Sequence, residues 1–259
     1  MSPLSGVLGE AWGLYRRYAS HFLVISFVIY LVVAIVTALL SLAGSWVGEI
    51  LGLLFSLFAM FLLQAALVKA VQDVRDGRVD MDLRETVSAA LPYVGPVAIA
   101  AILASIGIAI GLALIIVPGL VLLTFWSLIE PHIVIGGSGA LESFGRSWRT
   151  VRGYAWNVFG TFVLVFLILI AGEIVISAIL LALPSAWRNF ISNVVTGTLV
   201  APFLAIVVTL MYYRLTAAHG ETADATAPAA GGYGQPGGGY GHPEPGPSDP
   251  GDYGQHGPA

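Results

Sequence analysis

The fold is decided by residues Val97–Ile116, which read VAIAAILASIGIAIGLALII and contain no charged side chain. A helix of about 20 apolar residues is what the hydrocarbon core of a bilayer requires, because every backbone N–H and C=O group must be paired within the segment. Five further stretches of similar length and character lie on either side of this one. The six predicted membrane spans are Phe22–Ala43, Ile50–Val71, Val97–Ile116, Leu120–Gly136, Val158–Leu183 and Phe190–Tyr213.

The composition of the whole chain excludes a soluble domain. Hydrophobic residues make up 57% of the 259 residues and charged residues 10%, whereas soluble proteins carry about 25% charged residues. A soluble core of this size could not bury that much apolar surface. The chain has no cysteine, so we expect neither disulfides nor a cysteine-based metal or redox site. We expect no cofactor and no nucleic-acid partner, and the lipid bilayer is the predicted environment.

The distribution of Lys and Arg predicts the orientation in the membrane. If Lys69 at the end of span two is counted with the segment that follows it, ten of these 11 residues lie before span one, between spans two and three, between spans four and five, or after span six. Arg188 alone lies on the other side. The positive-inside rule therefore predicts that both termini are cytoplasmic. Ten of the 11 basic residues are arginine, which indicates a GC-rich bacterial genome and hence the bacterial plasma membrane.

The first span is interpreted as an anchor, because its apolar run exceeds the roughly 7–15 residues of a signal-peptide core and five more spans follow. Pro118-Gly119 predicts a tight turn between spans three and four, and Pro184 is expected to end span five. Gly107 and Gly111 form a GxxxG motif in span three, which predicts close helix packing.

A short pattern recurs in the cytoplasmic segments: Glu, a small residue, an aromatic residue, Gly, three residues, Arg. It begins at Glu10 and again at Glu142, and a weaker third copy begins at Glu85, with Pro92 in place of the Arg. We therefore predict an all-α, polytopic membrane protein, with six transmembrane helices as three hairpins, each preceded by a short amphipathic cytoplasmic helix. All three copies run the same way, unlike the inverted repeats of many transporters.

The amphipathic segment after span four has an apolar stripe of Leu141, Phe144, Trp148 and Val151 at helical spacing. Such helices should lie flat in the cytoplasmic interface. Their role could be limited to fixing the orientation of the hairpins. Alternatively, they could form a docking surface for another membrane protein or for anionic lipid headgroups. The candidate docking residues are Arg146, Arg149 and Arg152.

Three ionisable residues within predicted spans are candidates for an intramembrane polar site, because ionisable groups are expensive there and are often functional. Glu173 lies well inside span five, and Glu130 and His132 flank Pro131 in span four. Pro131 cannot donate a backbone hydrogen bond, so it should distort the helix and free a nearby carbonyl. Glu130 and His132 could then serve a proton relay, an ion site or a headgroup clamp.

Structural roles for the same residues remain open. Glu130 and His132 could pair with Arg146 or Arg149 and hold span four against the amphipathic helix. Glu173 could be neutral and hydrogen-bonded to a neighbouring span, with Arg188 as a second possible neighbour. One Glu and one His are too few for a metal site, since three protein ligands are the usual minimum.

The chain divides into a membrane domain, residues 1–219, and a tail, residues 220–259. The tail contains 12 Gly, 7 Pro and five acidic residues, and no Lys or Arg. Such a segment has too little apolar surface to offset its ordering entropy, so a disordered cytoplasmic tail is predicted. Its repeated Tyr-Gly units could alternatively make weak multivalent contacts with another protein.

The most distinctive motifs follow span three. They are Pro118-Gly119-Leu120, Trp126-Ser127-Leu128, the glycine cluster at Gly136 to Gly139, and the block Glu142-Ser143-Phe144-Gly145-Arg146-Ser147-Trp148. In these motifs the chain resembles the glycerophosphoryl diester phosphodiesterase membrane-domain family. That family is a multi-span module, known mostly from bacteria and archaea, which occurs alone or ahead of a soluble phosphodiesterase domain. Many members carry an acidic residue where this chain has Gly136. The resemblance implies a helical membrane fold and no established activity for the free-standing module.

The function predicted from these features is a non-enzymatic membrane scaffold or accessory subunit. The phosphodiesterase of the fused relatives is a TIM barrel of about 250 residues, which this sequence does not provide. The alternative is a lipid or small-solute translocator with a polar path at Glu130, His132 or Glu173. An intramembrane enzyme is the third class, but spacing identifies no pair of nucleophile and base.

Overall fold

The computed structural model describes residues 3–42, 44–181 and 184–220, without the side chains of residues 185–193. These described residues are 86% helical and contain no strand. Six helical segments are long and apolar enough to cross a membrane, which confirms the six predicted spans. Apart from Gly220, the predicted tail lies outside the described residues.

The helices are named in chain order. They are α1 (Val7–Arg17), α2 (Ala19–Leu42), α3 (Trp46–Asp73), α4 (Leu83–Leu114), α5 (Ile116–Phe125), α6 (Ile129–Val134), α7 (Ala140–Val151), α8 (Ala155–Leu180) and α9 (Ser185–Ala218). A 3₁₀ turn at Val74–Asp76 extends α3, and α5 and α6 together form the fourth span.

Helices α3 and α9 form the centre of the bundle. Helix α9 packs against α1, α2, α3, α6, α7 and α8, and α3 packs against α2, α4, α6 and α9. The largest buried side chains lie at the start of α2, in the last part of α3, in α6 and in the last part of α9, and include Phe22, Leu67, Ile133 and Met211. The opposite ends of the helices expose apolar side chains, which is what contact with lipid requires. Apart from Glu173, the polar features described below lie at the packed end.

Helix α4 begins well before the predicted third span. Its start is set by a capping box, in which the amide of Glu85 donates to Asp82 Oδ1 at 2.7 Å and the amide of Asp82 donates to Glu85 Oε2 at 3.0 Å. Pro92 and Pro96 lie inside the helix without ending it. The segment that begins at Glu85 is therefore continuous with the span, whereas α1 and α7 are separate helices.

The predicted turn at Pro118-Gly119 is wrong by three residues. The chain reverses at Ile115, whose backbone is extended (φ −156°, ψ 137°). Pro118 lies in the first turn of α5, where its missing N–H would have had no partner within the helix. Gly119 instead allows close approach to α4, since a Cβ on Gly111 would lie 2.9 Å from the Cα of Gly119.

Gly107 is packed as tightly as Gly111. A Cβ on Gly107 would lie 2.6 Å from the indole ring of Trp126. Both glycines of the GxxxG motif therefore serve close packing of α4 on the fourth span, which confirms that prediction.

Candidate functional site

The fourth span is broken near its end. Helix α5 ends at Phe125 and α6 begins at Ile129. Pro131 has no backbone N–H, and its ring conflicts with a helical position of the carbonyl four residues earlier. The distortion expected at Pro131 is confirmed. It takes the form of a break, not a bend, and it leaves backbone groups without a partner within the helix.

One side chain of α7 satisfies two of these backbone groups. The hydroxyl of Ser147 donates to the carbonyl of Phe125 at 2.7 Å and accepts from the amide of Leu128 at 3.1 Å. Ser147 is fully buried. Unpaired backbone groups cost several kcal/mol in a membrane. By pairing two of them, the Ser147 hydroxyl stabilises the break within the span.

A second contact joins α6 to α7. The Nε2 of His132 lies 3.0 Å from Oγ1 of Thr150, and both side chains are buried. The imidazole ring also packs edge-on against Tyr212 of α9, with 4.8 Å between ring centroids. The structure therefore links His132 to α7 through a threonine hydroxyl, where the sequence suggested Arg146 or Arg149.

Aromatic packing surrounds these hydrogen bonds. Phe125 stacks on Trp148 with ring centroids 4.0 Å apart, and Trp126 meets Phe144 edge-on at 4.9 Å. Both pairs join the broken span to α7, so α7 is part of the packed body of the protein.

Helix α7 has three distinct faces, which follow from its advance of about 100° per residue. Ser143, Ser147 and Thr150 are buried against the rest of the protein. Leu141 and Trp148 point outward and are 73% and 39% exposed. The charged residues Glu142, Arg146 and Arg149 occupy the third face. The buried hydroxyl face was not predicted, although the spacing of Ser143, Ser147 and Thr150 by four and three residues would have been its signal.

The three candidate docking arginines are placed differently. Arg146 forms an ion pair with Glu142 at 2.8 Å, and its hydrogen bond and charge lower the pKa of that carboxyl group. Arg149 and Arg152 are exposed, and neither has an ion pair among the described residues. Two cations are thus presented outward at the end of a firmly attached helix.

Glu130 lies at the start of α6 and is half-buried. Within the described part of the chain it has no hydrogen bond or ion pair to another side chain. The Nδ1 of His132 and the hydroxyl of Ser138 are buried close by in sequence, without a hydrogen-bond partner. No three His, Asp or Glu side chains of the described residues are grouped as metal ligands would be.

Glu173 belongs to a different part of the molecule. It is exposed on α8, where it accepts hydrogen bonds from Thr196 of α9 at 2.9 Å and from Ser177 at 3.3 Å. It lies about 27 Å along α8 from Ala155, at 1.5 Å per residue, whereas His132 contacts Thr150 just before α8 begins. The structure therefore does not bring Glu173 together with Glu130 and His132. The side chain of Arg188 lies outside the described residues.

With these features the protein is a multi-pass α-helical membrane protein, whose broken fourth span is locked to the helix that follows it in the chain. Residues 85–221 match the model of a family described as a domain of unknown function, DUF7847. The match covers more than half of the chain and includes α4 to α9, so the chain belongs to this family. No curated protein and no solved structure matches it.

Proposed function

We propose that this protein is a non-enzymatic scaffold or accessory subunit, which presents α7 to a partner at the membrane surface. The observation that carries the proposal is the division of α7 into three faces. The hydroxyl face is fixed to the body of the protein, which leaves the apolar and charged faces available. Such a helix is held in one position, and holding a contact surface in place is the main requirement of a scaffold.

The outward faces of α7 suit a partner that lies partly in the membrane. Leu141 and Trp148 offer apolar surface at the level of the lipid headgroups, where Trp is favoured. Arg149 and Arg152 offer two cations for an acidic surface. A helix that only anchored the protein in the bilayer would need the apolar stripe and not the unpaired arginines.

The proposed architecture is three hairpins with amphipathic helices on the cytoplasmic side. It is supported by the packing of α2 on α3, of α4 on α5 and of α8 on α9. Arg75 at the end of α3 lies against Tyr213 at the end of α9, so two of the predicted cytoplasmic segments lie together. Cytoplasmic termini and the bacterial plasma membrane are part of the proposal, on the strength of the arginine distribution.

The proposed relationship to the glycerophosphoryl diester phosphodiesterase membrane-domain family rests on the motifs between residues 118 and 148. Several of their residues contribute to the contacts just described, among them Trp126, Phe144, Ser147 and Trp148. These four motif residues contribute to holding α7 on the broken span.

Photo-crosslinking tests the scaffold proposal. A photoreactive amino acid is placed at Leu141 or Arg149 in the full-length protein, and adducts formed in native membranes are identified by mass spectrometry. The control position is Ile106, which is 52% exposed on α4 at the opposite end of the bundle. We expect the same partner protein from both α7 positions and not from Ile106. Recovery of the protein alone from Leu141 and Arg149 would contradict the proposal.

The alternative function is a lipid or small-solute translocator. It is favoured by the Nδ1 of His132 and the hydroxyl of Ser138, which are buried without a hydrogen-bond partner and lie close to Glu130 in sequence, and by the carboxyl group of Glu173 within a span. Proteoliposomes with the wild type and with Glu173→Gln decide it. A flux that is lost in the variant supports translocation, whereas a wild-type flux equal to that of empty vesicles excludes it.

A further inference from the structure

A cleft of about 250 Å³ opens between α1, α3 and α9, where α3 and α9 end. None of its side chains belongs to the α6–α7 site. Its charged lining is formed by Glu10, Arg75 and Arg214, and its apolar lining by Leu14, Val71 and Leu210. It therefore combines guanidinium groups with an apolar floor, which is an unusual combination for a simple packing defect.

Arg214 is already occupied by structural contacts. It forms an ion pair with Glu10 of α1. It also donates to the backbone carbonyls of Pro3 at 3.2 Å and Ser5 at 2.7 Å. Arg214 thus ties the N-terminal turn to α9, and Glu10 neutralises its charge.

Arg75 is the available cation of the cleft. Its guanidinium carbon lies 3.7 Å from the centroid of the Tyr213 ring, so the two planar groups are stacked. Stacking uses the face of the guanidinium and leaves the N–H donors at its edge. Arg75 is exposed and has no ion pair among the described residues.

The acidic residues next to Arg75 in sequence have other partners. Asp73 accepts from the backbone amides of Asp80 and Met81 at 3.2 Å, and Asp76 accepts from the amide of Arg78 at 3.0 Å. The cleft lining thus contains two guanidinium groups and one carboxylate. The lining side chains therefore carry one net positive charge beside an apolar floor.

We propose that this cleft binds the phosphate of a single anionic phospholipid from the adjacent leaflet. A guanidinium edge pairs with two phosphate oxygens, which is the geometry that arginine favours over lysine. The glycerol and the first acyl carbons of the lipid then contact Leu14, Val71 and Leu210. The cleft is smaller than the roughly 300–1,000 Å³ of pockets for whole small molecules, as expected for a site that receives only a headgroup.

Charge and shape select this ligand among molecules that carry phosphate. A zwitterionic lipid also carries an ammonium group, so it would leave the charge of the cleft uncompensated. Free inorganic phosphate would leave the apolar floor in contact with water. Basic pockets between transmembrane helices are known to suit anionic headgroups for the same reason. The proposal is independent of any protein partner of α7.

Native mass spectrometry of the full-length protein in detergent tests the proposal. The protein is titrated with phosphatidylglycerol, and separately with phosphatidylcholine of the same acyl chains. We expect one phosphatidylglycerol to bind about tenfold more tightly than phosphatidylcholine, in line with a charge-assisted hydrogen-bonded pair. Arg75→Gln should weaken phosphatidylglycerol binding about tenfold and leave phosphatidylcholine binding unchanged.

Arg78→Gln is the matched control, because Arg78 is an exposed arginine three residues further on and does not line the cleft. It should bind both lipids as the wild type does. If Arg75→Gln melts at a clearly lower temperature, Arg75→Lys replaces it, since lysine keeps the charge but loses the planar fork. Phosphatidylglycerol binding unaffected by the substitution overturns the proposal. So does displacement of the lipid by millimolar inorganic phosphate, which would indicate a site for the free anion.

Discussion

The Nε2 of His132 lies 3.0 Å from Oγ1 of Thr150, and this contact joins the broken fourth span to the helix that follows it in the chain. Ser147 makes a parallel connection one turn earlier on the same face of α7. Helix α7 has the many polar residues of a surface helix, yet buried hydrogen bonds hold it against the rest of the protein.

Ser147→Ala should destabilise the protein by about 1–3 kcal/mol, because it leaves the buried amide of Leu128 and the carbonyl of Phe125 unpaired. The measurement is the unfolding of the purified protein in detergent. Ser105→Ala is the control, since Ser105 is exposed and bonds only to the Ile102 carbonyl of its own helix. It should change stability by less than about 0.5 kcal/mol. Equal effects of the two substitutions would show that the bridge made by Ser147 does not stabilise the break.

Gly111→Ala should destabilise the α4–α5 packing by about 1–3 kcal/mol, because the added methyl group would meet the backbone of Gly119. Neither backbone can move away without separating the two helices. Gly160→Ala in α8 is the matched control, since a Cβ there meets nothing within 4 Å. It should stabilise its helix by about 0.5–1 kcal/mol. Thermal unfolding of both variants measures the difference, and a tolerated Gly111→Ala would exclude the close contact.

Glu173 and Thr196 should be coupled by about 0.6 kcal/mol, the average for a hydrogen bond between membrane helices. A double-mutant cycle with Glu173→Leu and Thr196→Val measures this energy. Glu173→Gln should retain nearly all of the stability, since the amide oxygen can still accept from Thr196 and the amide NH2 group can donate to the hydroxyl oxygen of Ser177. A coupling energy of zero would remove the structural explanation for a carboxyl group at this depth and would favour the translocator.

The ion pair of Glu142 and Arg146 should make a small, pH-dependent contribution to stability. The hydrogen bond and charge of Arg146 lower the pKa of Glu142 in the folded protein. The pair therefore stabilises the fold above the pKa of an unfolded Glu, and its contribution is lost as the pH falls through the lowered folded pKa. At neutral pH, Glu142→Gln should cost about 0.3–0.5 kcal/mol, the usual value for an exposed i,i+4 pair.

Paired melting curves of the wild type and Glu142→Gln measure the pH effect. Their difference should shrink on acidification, and it should also shrink at high salt, where the exposed charges are screened. A difference that is independent of pH and salt would mean that the substitution acts through helix propensity and not through the ion pair.

Much of the fold could be predicted because it depends on neighbouring residues only. The α2 helix, Ala19–Leu42, differs from the predicted span by three residues at its start and one at its end. The break at Pro131 follows from the covalent structure of proline, and the close packing at Gly107 and Gly111 follows from the absence of a side chain. These properties act within one helix or at one contact, so a single sequence reveals them.

The position of the turn after α4 could not be predicted in the same way. Pro118-Gly119 has the composition of a turn, yet Pro118 is equally suited to the first turn of a helix. The fit of Gly119 against Gly111 decides between the two, and that fit requires both helices to be in place. The start of α4 at Leu83 likewise depends on the capping box made by Asp82 and Glu85.

The amino-acid sequence alone was enough to predict six apolar spans and a further helix after the fourth span, because apolar length and helical spacing are local properties. The roles of the polar residues, in contrast, depend on how the helices pack together. The tertiary structure separated Glu173 from His132, assigned Thr196 and Thr150 to them as partners, and placed Arg75 beside Arg214 of a helix far away in the chain. The physical reason is that hydrogen bonds and ion pairs act over a few ångströms, and such proximity between helices is set by their packing.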